Sequence, residues 1–291
     1  MQAFWLNVLV NIVSTLILAF IGFVAYAYLY WKNRRDILHF FGISNASPNV
    51  SIYVSTLNVK PGGTTGIEAI DQGYAGAAIN KLEYEGALLI QKELKARPLA
   101  LLPRKLQDWL GQDNIELRTV EVPVKLSPPK TTNRDPAFDS NLIILGTGVY
   151  NSLAHYYLKE YFEKHKRLYP WYFYHDKKDG QRIIGIRQER FEDSLIDGRE
   201  NQIEPAFIQR IHDADRKTTV FICSGLGSSA TFGSARYLAE HWKELQRKFN
   251  KDEFGVALLF FNQKPDDEFV GQPQVCYEAF LGRGHMQSQK G

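Results

Sequence analysis

From Phe4 to Trp31 the chain reads FWLNVLVNIVSTLILAFIGFVAYAYLYW, without a single charged residue. A helix rises 1.5 Å per residue, so about 20 apolar residues cross a hydrocarbon core of about 30 Å. This run is longer than that, and no other feature limits the fold so strongly. Trp5 sits near one end, and Tyr26, Tyr28, Tyr30 and Trp31 crowd the other, where amphipathic rings favour a membrane–water interface. KNRR follows at 32–35, and no basic residue precedes the run. The positive-inside rule then predicts a single-pass anchor with its N-terminus outside and everything after Lys32 in the cytoplasm. Ala25, Tyr26 and Ala27 mimic a signal-peptidase site, which offers a cleaved signal peptide as the rival reading. The missing basic n-region and the length of the run favour an uncleaved anchor.

The span has a face. Asn7, Asn11, Ser14, Gly22 and Ala25 fall near one side of a helix. Amides in lipid seek partners, and small residues let backbones approach. The plain reading is a monomeric anchor that tolerates a few polar residues. The sharper one is a stripe that joins subunits or lines a water path. One helix cannot enclose a pore, so the sharper reading requires a homo-oligomer.

Across all 291 residues, 44% are hydrophobic and 23% charged, which suits a globular domain. A net charge of +3 is too mild to make nucleic acid the expected partner. The two cysteines, Cys223 and Cys276, lie in apolar settings and read as buried thiols in a reducing compartment. No cluster has the ligand spacing of a metal site, so no metal is expected.

After a juxtamembrane extension to Gly42, SIYVSTL at 51–57 reads as a strand. An amphipathic helix is expected from about Gly73 to Lys95, and a short one over RKLQDWLG after Pro103. IELRTVEVPV at 115–124 reads as a strand, and SPPKTTNRDPAFD at 127–139 as a loop. NLIIL, TTVFIC at 218–223 and FGVALLFF at 254–261 are apolar runs suited to strands buried on both faces. Helices are expected after the first two of these runs. WYFYHDKKDGQRIIGIRQ suggests a hairpin that adds an antiparallel edge, and AFIQRIHD at 206–213 only a short element. The expected fold is α/β: a Rossmann-like, mostly parallel sheet with helices on both faces and a β-hairpin insertion, preceded by one transmembrane helix. The units are 1–42 for the span and its extension, 50–282 for the α/β domain, and 283–291 for a disordered tail.

Three expected strands end in small residues: STLNVKPGGTTG, GTGVYNS and SGLGSS. In open α/β sheets ligands bind outside the carboxyl ends of strands, where a helix start offers unpaired amides and partial positive charge. Small residues let an anion reach the backbone. This assigns a ligand role to Ser55, Thr56, Gly146, Thr147, Gly148, Asn151, Ser224, Gly225, Gly227, Ser228 and Ser229, with Thr231 adding a hydroxyl. Asn151 and Ser152 have a second possible role as helix caps. Tight turns alone are the structural alternative. Neither GxGxxG nor GxxxxGK[ST] is present, which argues against a P-loop NTPase. No cofactor is named; a nucleotide or other phosphate-bearing ligand is expected.

Glu83 and Glu85 are the carboxylate candidates for chemistry. Two apart on a helix, they face different ways and cannot act as a pair. A solvated helix face is the plainer expectation for both. His155, His175, His212 and His241 are scattered, and no GxSxG, HExxH or triad order stands out. Arg187, Arg190 and Arg236 are the basic residues that could meet phosphates.

IYVSTL followed by a helix carrying Glu83 and Glu85 resembles nucleotide glycosidases and deoxyribosyltransferase-like folds. That resemblance implies a carboxylate acting on a sugar, for instance in NAD cleavage. NLIILGTGVYNSLAHYYL and VFICSGLGSSATFGSARYLAEHW look like the two glycine-rich segments of a bacterial Rossmann-like domain. The anchor-plus-domain layout is similar to membrane effectors of bacterial anti-phage signalling, in which a cytoplasmic domain binds a nucleotide second messenger and the membrane helices disrupt the bilayer. This implies a place in the bacterial inner membrane, a partner protein of a defence system, and ligand contacts at Gly146, Gly148, Asn151, Gly225, Gly227 and Ser228. The leading expectation is therefore a sensor without catalysis, and the second an enzyme acting on a nucleotide.

Overall fold

The computed structural model describes residues 2–44, 47–59, 76–95, 121–127, 140–148, 150–165, 171–175, 182–186, 189–192, 202–262, 274–280 and 288–289. The short helix expected after Pro103, most of the strand at 115–124, nearly all of the loop at 127–139 and most of the tail lie outside the described residues.

Helix α1 runs from Gln2 to Phe40. It contains the one stretch among the described residues that is long and apolar enough to cross a membrane. Most side chains from Phe4 to Leu29 are exposed. The end of the helix behaves differently. Ile37, Leu38, Phe40 and Phe41 are buried in the main core of the α/β domain, so the boundary at 42 expected from the sequence cuts through a packed region. Phe40 lies 5.2 Å from the Phe221 ring and 6.2 Å from Phe254. The Arg210 guanidinium covers Phe40 and Phe221 and donates to the Asn250 carbonyl at 2.7 Å. Burial lowers its pKa to about 10.

Gly42 ends the helix at φ +75°. Its amide bonds the His39 carbonyl and the Ile43 amide bonds Leu38, a close that needs a left-handed residue. A Cβ here would lie 2.2 Å from the Thr219 hydroxyl. Asn141 fastens this corner. Its amide nitrogen is shared among the Gly42, Ser47 and Asn49 carbonyls, and its oxygen accepts from the Thr219 amide at 2.8 Å.

The main sheet has the order β13-β12-β11-β9-β10-β5-β1-β4. Its strands are β1 Val50–Val54, β4 Val124–Leu126, β5 Asn141–Leu145, β9 Gln202–Asp213, β10 Thr218–Gly225, β11 Phe254–Asn262, β12 Gln274–Phe280 and β13 Ser288–Gln289. β4, β1, β5 and β10 pair in parallel, while β9 and β12 run against the rest. The fold is thus mixed α/β with most strands sharing one direction. AFIQRIHD is not a short element but the last eight residues of β9, a twelve-residue strand between β10 and β11. Ser288–Gln289 of the expected tail pairs with β12.

β2 Thr56–Val59 and β3 Gly76–Ile79 form a separate pair. Consequently the helix expected from Gly73 begins only at Lys81, where the Asn80 side chain accepts from the Leu82 and Glu83 amides. This helix, α2, spans Lys81–Leu94. β6 Trp171–His175, β7 Arg182–Ile186 and β8 Glu189–Glu192 make a three-stranded sheet of their own, so this region does not extend the edge of the main sheet.

Helices cover both faces of the main sheet, and the side-chain alternation shows how. Ile143 and Leu145 of β5 and Phe221 and Cys223 of β10 point to one core, with α2, the end of α1 and helix α4 Ser228–Phe249. Leu142, Ile144, Val220 and Ile222 point to the other, against helix α3 at 152–164, which contains a π-helical turn at Tyr156–Glu160. Cys223 is the buried free thiol the sequence suggested.

Because Phe40 is fully enclosed, Phe40→Ala should destabilise the α/β domain by about 3–5 kcal/mol. Chemical denaturation of the full chain in detergent measures this; a loss below about 1 kcal/mol would mean that α1 is not part of the core.

Candidate functional site

The helix after β1 packs on one face of the sheet, the helix after β5 on the other, and the helix after β10 again on the first. The chain therefore diverges at the carboxyl ends of β1 and β5, which opens a crevice at that rim. A cleft of about 280 Å³ lies here. Ser55 and Glu83 come from the β1 side, Thr147 and Tyr150 from the loop after β5, and Gly225 to Ser228 with Thr231 from the start of α4.

Glu83 is the buried carboxylate of the cleft. It lies in the first turn of α2 and is 7% exposed, not on a solvated face as expected. The Ser55 amide donates to its Oε2 at 3.0 Å. The Ser55 hydroxyl lies between this carboxylate and the Leu145 carbonyl. Loss of water raises the Glu83 pKa, and the bonds from Ser55 only partly oppose this. The carboxylate fits because residue 146 is glycine: a Cβ there, at φ +110°, would lie 2.0 Å from the Ser55 hydroxyl and 3.2 Å from both carboxylate oxygens. Glu85 points elsewhere and pairs with Lys81 at 3.6 Å on the surface, as two-residue spacing on a helix requires.

The other wall is the start of α4. Its N-cap is Gly227, with no side-chain cap. The amides of Ser228, Ser229 and Ala230 have no hydrogen-bond partner among the described residues, and the first intrahelical bond is Thr231 to Gly227. Thr231 also braces the turn: its hydroxyl accepts from the Gly225 amide at 3.1 Å and donates to the Gly227 carbonyl. The Thr147 hydroxyl, at the third side of the cleft, is buried without a partner.

The glycine turns thus differ in kind. The Gly146 amide bonds the Cys223 carbonyl and the Leu226 amide bonds Pro205, so these are spent on structure. Asn151 is a cap: its oxygen accepts from the Leu153 and Ala154 amides, its nitrogen donates to Leu145 at 2.8 Å, and the Ser127 hydroxyl bonds it as well. Its side chain is fully buried in this role. Gly148 lies against the His155 backbone. Thr56 donates to the Ser127 carbonyl, and Ser224 is fully buried in β10. Of the ligand residues expected from sequence, the cleft brings together Ser55, Thr147, Gly225, Gly227 and Ser228. It adds Asn80, Tyr150 and Leu226, for which no reading was made. Asn80 carried a signal: Asn-Lys-Leu-Glu is a capping pattern hidden by starting the helix too early. Tyr150 carried none, but it is 59% exposed at the rim, an aromatic face open to a planar group. His155, one of the scattered histidines, faces Glu160 at 3.4 Å on the helix. Arg236 pairs with Glu240 two turns into α4. Among the described residues no group of His, Cys, Asp and Glu could hold a metal ion.

No protein-family model, curated protein or solved structure matches the chain.

A raised pKa has a defined consequence for stability. The folded chain holds the Glu83 proton more tightly than the unfolded chain, so ionisation costs stability as pH rises above about 4.3, the unfolded value, through the folded one. Glu83→Gln should therefore melt higher than wild type at neutral pH, with the gap closing as pH falls below about 4. Thermal melts across that range test it, and a gap independent of pH would show that charge burial is not the cause.

Proposed function

We propose that the chain is a single-pass membrane protein whose α/β domain binds a nucleotide-type ligand in the cleft between Glu83 and the start of α4. The observation that carries this reading is the meeting of an uncapped helix N-terminus and a buried carboxylate across one small cleft. The free amides of Ser228 and Ser229 suit a phosphate. Glu83 and Asn80 suit hydroxyl or amine donors of a sugar or base, and the Tyr150 ring suits stacking. The volume of about 280 Å³ is near the lower end of ligand pockets, which favours one nucleotide-sized group. The cleft's place at the carboxyl rim of parallel strands is where Rossmann-like domains bind.

The charge-free span and the KNRR that follows it support a place for this domain on the cytoplasmic side of a bacterial inner membrane. Asn7 and Asn11 stay exposed on α1, while Ser14 bonds the Val10 carbonyl within the helix. Two amides on one apolar face would find partners in neighbouring copies, so ligand binding would act on helix assembly and on bilayer integrity, as in an anti-phage effector.

A second reading is favoured by Glu83 itself. A desolvated carboxylate beside a phosphate site could cleave a glycosidic bond of a nucleotide such as NAD.

Calorimetry with adenine and guanine nucleotides, together with chromatography of the incubation products, separates the two. Ser228→Glu puts a negative charge at the start of α4 and should weaken binding about tenfold or more, equal to about 1.4 kcal/mol. Saturable binding without products supports the sensor; turnover abolished by Glu83→Gln supports the enzyme. No binding and no turnover with any nucleotide would end both readings. In bilayers, Asn11→Leu should reduce self-association of the full chain and leave ligand affinity unchanged; unchanged association would remove the oligomer contact.

A further inference from the structure

A second cavity, which shares no lining residue with the cleft, lies between α1 and α4. Its volume is about 420 Å³. One face of α1 lines it with Tyr26, Leu29, Tyr30, Asn33 and Asp36, spaced by three and four so that they form one stripe. Lys32 flanks the stripe, and Lys243 of α4 closes the other side. The two helices are fastened just beyond, where the Gln246 amide donates to the Asp36 carbonyl at 3.2 Å and Trp242 packs on Phe40.

The position of this groove on the chain is its main property. Tyr26 and Leu29 belong to the charge-free run, and Lys32 is the first charge after it. The groove therefore straddles the level at which α1 would leave the hydrocarbon. Tyr26, Leu29 and Tyr30 make one part apolar and aromatic, and Lys32 of α1 and Lys243 of α4 line it from different helices, the Lys243 ammonium standing over the Trp242 ring. Asp36 is the opposing charge, and it faces Arg35 at 4.0 Å. A phosphate placed between Lys32 and Lys243, with its chains along Tyr26 and Leu29, meets each part of the groove with a matching group.

We infer that the groove between α1 and α4 is a binding site for the headgroup of an anionic phospholipid. The lipid would bridge the span to the α/β domain and hold α4 at the membrane surface. This rests on the reading of α1 as a membrane span, and it is independent of any ligand in the cleft.

The test uses the full chain in nanodiscs of phosphatidylcholine with a minority of phosphatidylglycerol. Native mass spectrometry then reads the lipids retained after release. Wild type should keep phosphatidylglycerol in excess of its share, and Lys32→Ala with Lys243→Ala should lower that retention about tenfold. Lys92→Ala with Lys159→Ala removes the same charge at exposed sites elsewhere and should change nothing. Equal loss in both double variants would reduce the effect to net charge and overturn the site. So would insertion without phosphatidylglycerol enrichment. A chain that fails to insert at all would overturn the membrane reading, and this inference with it; insertion is scored separately, by co-elution with lipid.

Discussion

The parallel pairing of β5 with β10 is the interaction on which the other parts depend. Both strands bury every side chain, alternating between two cores, so helices are required on both faces. Their ladder continues one step past the end of β5, where the Gly146 amide donates to the Cys223 carbonyl within β10 at 3.0 Å. That bond sets the turn into which Ser55 and Glu83 fit. The same two strands hold the lower end of α1, through Asn141 of β5 and Thr219 of β10. One strand pair thus fixes the cleft at one rim and the helix entry at the other.

A buried carboxylate is costly unless something offsets it. Here the Ser55 amide and hydroxyl offset part of the cost, and the exposed mouth of the cleft faces a helix start rich in free amides. Sites that keep such a cost usually do so for binding or chemistry. The contrast with Arg210 is instructive. It is also buried, but it is covered by Phe40 and Phe221 and bonded to a carbonyl, in a core with no access for a ligand.

The α1 helix joins two environments in one element. Its first part displays apolar side chains, and its last turns are core residues of the domain. A hinge between the apolar stretch and the domain is therefore absent at Phe40 and Phe41, and a movement of α4 or α2 would reach α1 through direct contacts. Arg34 illustrates this: its guanidinium donates to the Leu94 carbonyl at the end of α2, the same helix whose first turn carries Glu83.

The charge-free run, the buried strands NLIIL, TTVFIC and FGVALLFF, and the helix after SGLGSS could all be read from the order of residues, because each rests on local period or on length. β9 could not, since Gln209, Arg210 and His212 break its apolar pattern, and only pairing on both sides makes it a strand. Nor could the early end of β1 at Ser55, where the chain leaves for β2 and delays α2 to Lys81. The residue order placed small residues after three strands; the tertiary structure decided which amides stay free. Among the described residues, Gly225 is closed by Thr231, Asn151 serves as a cap, and the start of α4 is left open. Glu83 and Glu85 look alike in sequence. Their difference arises because α2 docks beside Gly146, and a helix docked on a sheet turns one carboxylate inward and leaves the other in water.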